Sequence, residues 1–231
     1  MKKAAFAALG TAVLTTAASA DFTNAVAISY SKTVSDFGGA AVTVGVTDLY
    51  MISNDAADTL LNVYNFNLID GAPSSFYQST TGAGWSPTNL GGPFDNQATR
   101  EGDSFVTIGG FGTNAEQVNG AGEGTGLDPN FGGNSADAPG ANAGWFNSNP
   151  PSANGLVGAT GIDGFALGVL IGRFAVEGSE GPDLIGSTLE VTWNQGLGTD
   201  GRQGAFTVIS PAPGAIALMG LAGLTGRRRR G

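Results

Sequence analysis

The sequence predicts an all-β domain: a β-sandwich of jelly-roll type with long Gly-rich loops, flanked by an N-terminal signal helix and a C-terminal hydrophobic helix. Three observations predict it. Short runs rich in β-branched and aromatic residues alternate apolar and polar positions with a period of two. Clusters of Gly, Asn, Asp and Pro divide those runs. No segment sustains a helical period with caps across ten residues. Eight or nine short strands separated this way fit two packed sheets.

In chain order, residues 22–30, 41–46 and 48–53 are strand-like runs. Residues 60–68 are sharper: Tyr64, Phe66 and Leu68 share one face, and Val63, Asn65 and Asn67 share the other. Residues 104–108 form a further β-rich run. In residues 165–172, Phe165, Leu167, Val169 and Ile171 alternate with small or apolar residues, as in a strand buried on both faces. Leu189, Val191 and Trp193 alternate with Thr188, Glu190 and Thr192, and residues 203–209 supply a last strand. Between them, residues 109–144 are dense in Gly, Asn and Asp and too poor in apolar residues for a core of their own, so they predict a long loop.

Composition narrows the chemistry. With no Cys and no His among 231 residues, there is no disulfide framework, thiolate nucleophile, zinc finger, imidazole base or Ser–His–Asp triad. The chain carries a net charge of −9, but six of its ten bases lie in the two terminal segments. In residues 21–210, Lys32, Arg100, Arg173 and Arg202 face all 19 acids, a net charge of −15. Such a domain repels nucleic acid and other polyanions.

The termini read as addresses. Residues 1–20 have the form of a secretory signal peptide: Lys2 and Lys3, an apolar stretch, and Ala18-Ser19-Ala20 with Ala18 and Ala20 as the small residues signal peptidase accepts. At residues 211–231, Pro211, Ala212, Pro213 and Gly214 break the chain, a short apolar run follows, and Arg227, Arg228, Arg229 and Arg230 form a basic stop. The apolar run is too short to span a bilayer of ~30 Å by itself and suits a temporary tether. This order of elements resembles a PEP-CTERM sorting domain, with Ala212 where the family carries Glu. The resemblance covers the tail alone. It implies processing by an exosortase-like enzyme and association with exopolysaccharide. The expected protein is therefore exported, non-enzymatic and held briefly at the inner membrane before reaching the cell surface or extracellular matrix.

Candidate ligand sites lie in residues 21–210. Asn54, Asp55 and Asp58, and Asp128, Asn130, Asn134 and Asp137, are oxygen donors of the kind calcium takes, yet neither group has EF-hand spacing, and Asn and Asp also serve turns. No metal site and no cofactor is expected. Trp85 and Trp145, in similar Ala-Gly-Trp settings, are the candidate platforms for a sugar ring, with Tyr64 and Tyr77 as further flat faces. The same tryptophans in loops could instead plug the end of a core. Carboxylate pairs such as Glu177/Glu180 and Glu101/Asp103 leave open only two-carboxylate catalysis, and no spacing rule singles them out.

Overall fold

Strand-forming residues run on past the short segments that periodicity marks, and ten strands result among the described residues. The computed structural model describes residues 21–39, 41–81, 84–86, 96–109, 125–131, 136–148, 154–196 and 198–211. The strands are β1 (Phe22–Ser35), β2 (Ala41–Ser53), β3 (Thr59–Asn67), β4 (Phe105–Val106), β5 (Thr125–Leu127), β6 (Ala143–Asn147), β7 (Gly158–Ile162), β8 (Phe165–Glu177), β9 (Thr188–Asn194) and β10 (Arg202–Ile209). One five-residue helix, α1 (Gln97–Glu101), and a single 3-10 turn, Pro129–Phe131, accompany them among the described residues.

All ten strands belong to one sheet in the order β4-β8-β2-β1-β10-β9-β3-β6-β5, with β7 also on β8. Neighbours are antiparallel except β1 and β10, which meet in parallel at Ala25–Val208 and Val26–Ile209. The ends of this sheet come together. Leu156 bridges to Thr59 and the Val157 amide donates to the Asp58 carbonyl, while the residues that follow pair with β8. On the same seam the Ile108 amide donates to Thr125 Oγ1 at 3.4 Å. The molecule is thus a mostly closed barrel, which corrects the sandwich and jelly-roll expectation. Period-two patterning reports that one face is buried, but a curled sheet that meets itself buries its face as well as two stacked sheets do. Register shifts at Leu49/Tyr50 and at three places along β3 supply the local bends that closure needs.

The interior is aromatic. Phe66, Phe76, Trp85, Phe131, Trp145 and Phe174 form a chain of tilted and edge-to-face contacts with centroids 5.2–5.8 Å apart. Leu49, Met51, Ile171, Leu189, Val191 and Trp193 pack with them. Strand β8 is buried on both sides. Leu167, Val169 and Ile171 face inward, but after the register shift the inward residues are Phe174 and Val176. Its outer face lies under two smaller apolar clusters, one around Tyr50, Phe105 and Leu170 and one around Val44, Val46, Ala98 and Ala175.

The flanking helices also need correction. Among the described residues no helix is long and apolar enough to cross a membrane, so no described element supplies the transient anchor, or the localisation built on it. The expected signal segment with Ala18 and Ala20, and Ala212, Pro213, Gly214 and Arg227 to Arg230 of the tail, lie outside the described residues; Pro211 is the last described position.

Candidate functional site

A groove of about 420 Å³ runs over the outside of β3, β9 and β10, and its origin is local. Tyr64 pairs with Glu190, but the next pair is Asn67 with Thr188, so β3 carries extra chain between them. Asn65 absorbs it at φ 50°, a left-handed conformation that Asn tolerates better than most side chains. The groove lies over this bulged stretch, and Thr188, Glu190, Ala205 and Thr207 of β9 and β10 line it.

Amides line the open side. Asn67 Nδ2 donates to the Asn65 carbonyl at 2.9 Å and to Asn142 Oδ1 at 3.2 Å. Asn142, itself left-handed at φ 59°, returns its backbone N–H to Asn67 Oδ1 at 3.0 Å. Asn65 Nδ2 donates to Glu190 Oε1 at 3.1 Å. Partial desolvation, a hydrogen bond to Glu190 and that carboxylate's charge together hold the neighbouring Tyr64 hydroxyl above its ordinary pKa. The groove therefore presents pre-oriented amides, one carboxylate and the two Thr positions, beside the partly exposed Tyr64 ring. No base lines it.

The sequence-predicted platforms lie elsewhere. Trp85 is 0% exposed and Trp145 1% exposed. Their indole N–H groups donate to the Asp137 carbonyl at 3.0 Å and the Thr107 carbonyl at 2.9 Å. Both rings sit in the aromatic interior and show no face to a ligand. Trp145 belongs to a strand, β6, and not to a loop. The oxygen donors are spent within the fold: Asn54 Oδ1 ties the end of β2 to the Asp21 N–H, Asp58 Oδ2 accepts the Ser53 hydroxyl, and in turns Asp55 Oδ1 accepts the Ala57 N–H and Asp128 Oδ1 the Asn130 N–H. Asn134 lies outside the described residues. Among the described residues no three acidic side chains converge in a way that could hold a metal ion.

Ionisable groups do gather on the outer face of β2 and β8, beneath α1. Arg173 forms a bidentate pair with Asp48, Nε to Oδ1 at 2.7 Å and Nη2 to Oδ2 at 3.0 Å, and its Nη1 donates to the Arg100 carbonyl. Burial disfavours the guanidinium charge, but Asp48 outweighs it and holds Arg173 above its ordinary range. Tyr30 donates to Asp48 Oδ2 at 3.0 Å; burial and the Asp48 charge raise its pKa, and the same causes push Tyr50 up to about 12. Phe105 covers the guanidinium at 5.5 Å. Nearby, burial pushes Asp103 up to about 7 against two backbone N–H donors. Glu101, its sequence neighbour, is held outside by Lys32 at 3.0 Å. The cluster is closed over and internally paired, so it ties elements together and offers no opening to a substrate.

Comparison with known proteins gives no family model, no curated protein and no solved structure that matches this chain. The class that fold and site define is a mostly closed β-barrel domain with a polar, amide-lined outer groove.

Proposed function

We propose that the chain is a non-catalytic carbohydrate-binding domain whose ligand lies in the groove formed by Asn65, Asn67, Asn142 and Glu190. The observation that carries this reading is the convergence of three side-chain amides and one carboxylate, fixed by one another, with the half-buried Tyr64 bonded to the same Glu190. Amides and carboxylates match the paired donor and acceptor hydroxyls of a sugar, and a tyrosine face suits the apolar side of a pyranose. A groove without a base, on a domain of charge −15, favours a neutral glycan over an acidic one.

A glycan array probed with the chain, with and without calcium, tests this. The expected result is binding to neutral glycans that EDTA leaves unchanged, because one carboxylate falls short of the six to eight oxygens calcium takes. Asn67→Ala and Glu190→Gln should each weaken binding at least ~10-fold, the scale of one lost hydrogen bond to a charged or fixed partner. Binding indifferent to both substitutions would remove the groove as the site.

A further inference from the structure

Strand β1 outruns its neighbour. It pairs with β2 over its whole length, from Phe22–Ser53 to Ser35–Ala41, but with β10 only at Ala25 and Val26. Beyond Val26, β10 ends at Ile209, and Pro211 lies two residues further on. At the far end of β1 the Ser35 N–H turns away from β2 and donates to Gln97 Oε1 of α1 at 3.1 Å. Because backbone groups alternate between the two sides of a strand, the N–H and C=O groups of Ser29, Ser31 and Thr33 face the same open side. Among the described residues no backbone group meets them there.

We propose that this open edge of β1, residues 29–33, is a strand-addition site for an extended, positively charged peptide segment. Three features favour it, and none involves the glycan groove across β3, β9 and β10. First, the edge lacks the usual protection: no proline and no bulge occur in this stretch, and its one lysine, Lys32, is drawn off to Glu101 at 3.0 Å. Second, a pocket of about 290 Å³ opens where β10 leaves off, between Ile28 and Ile185, and Ile185 is 46% exposed. An added strand would place an apolar side chain there while its backbone continues the row that β10 begins. Third, Asp183 lines that pocket on a domain of charge −15, so basic residues flanking the apolar one meet complementary charge, whereas a second copy of this acidic chain meets repulsion.

The test uses the full chain and a synthetic probe, the peptide Lys-Thr-Val-Thr-Val-Thr-Lys, with an Asp-flanked counterpart of the same core. Amide hydrogen exchange should show at least 10-fold slower exchange at Ser29, Ser31 and Thr33 with the basic probe at saturation, and no change with the acidic one. Ser31→Pro removes an outward N–H that the β1–β2 ladder does not use, so it should keep the fold and weaken probe binding at least 10-fold. Ile185→Lys, at an exposed position, gives the same loss by removing the apolar wall and repelling the basic probe, and serves if the proline variant does not fold. Unprotected edge amides at saturating basic probe, equal binding of the acidic probe, or wild-type binding by Ile185→Lys would overturn the proposal. So would protection of these amides without any probe in a sample that sediments as a dimer, which would assign the edge to a second copy.

Discussion

Replacing Asp103 by Asn should remove most of the pH dependence of stability between pH 4 and 8. Asp103 lies 1% exposed between α1 and β4, where its Oδ1 accepts the Ser79 N–H at 2.8 Å. Around it stand Asp36, whose charge opposes ionisation, and Arg173, whose charge favours it; burial dominates and pushes the carboxyl up from 3.8 to about 7. Between those two values the folded chain holds a proton that the unfolded chain has released. Stability from this group is therefore full at pH 4 and falls as pH rises through about 7. A shift of about three units at ~1.4 kcal/mol each gives a loss of about 4 kcal/mol, or roughly 8–16 °C in Tm for a domain of this size. No histidine exists to blur the window. Asp36 and Glu101 are shifted the other way: burial opposes ionisation in both, but backbone and side-chain donors to Asp36, and Lys32 and Gln97 beside Glu101, prevail. Their contribution is present above the ordinary carboxylate range and lost only in more acidic solution. Urea unfolding at half-unit intervals from pH 4 to 8 should show wild type losing stability while Asp103→Asn, which keeps an acceptor for Ser79, stays nearly level. A wild-type curve that is flat or rises from pH 5 to 8, or an Asn variant that follows wild type, would refute the reasoning.

The other predictions concern packing. Arg173→Met leaves the Asp48 carboxylate buried without its counter-charge and should cost about 3–5 kcal/mol by urea denaturation; pairing it with Asp48→Leu should recover most of that loss. Trp145→Ala should cost about 3–5 kcal/mol while leaving glycan affinity unchanged, because the ring fills the interior and Asn65, Asn67, Asn142 and Glu190 lie on the outer face of the sheet. Gly155→Ala should lower Tm clearly, since at φ 87° the added Cβ meets the Leu60 carbonyl on the barrel seam, for about 1–3 kcal/mol of overpacking; Gly158→Ala, with open space at its Cβ, should be close to neutral.

The strands with a clean period of two were readable because a half-buried strand writes its geometry into alternate residues. Leu189, Val191 and Trp193 of β9 are buried in alternation for that reason, whereas β3 buries Leu60, Val63 and Phe66, every third residue, because its register shifts break the alternation expected over residues 60–68. Residues 41–46 and 48–53 are one strand, because Thr47 points inward and satisfies its hydroxyl on the Pro182 carbonyl, which a polar residue in a sequence does not disclose. Strands β5, β6 and β7 are short and glycine-bearing, so propensity argues against them, and pairing with longer neighbours decides them instead. Closure rests on contacts such as Leu156 with Thr59, between segments far apart in the chain, and no local pattern encodes which edge meets which.

The candidate site divides the same way. The polar character of Asn65 and Asn67 was visible in the sequence, but simple alternation sets Tyr64 on the face of Phe66, whereas in the structure Phe66 is buried with Val63 and Tyr64 lies outside against Glu190. The groove exists because Asn65 turns left-handed and shifts the register, and because Asn142 arrives from the glycine-rich region to brace Asn67. The tryptophans show the converse. Gly-rich surroundings suggest mobile, exposed loops, yet glycine beside a large ring also lets the backbone approach closely enough to bury it. With the indoles of Trp85 and Trp145 consumed by the core, the proposed glycan site relies on amides, a carboxylate and a tyrosine, and such a surface gains its selectivity from hydrogen-bond geometry more than from stacking. A groove built this way should discriminate sugars by hydroxyl configuration. A single epimer at the position facing Asn67 should therefore alter affinity as much as Asn67→Ala does.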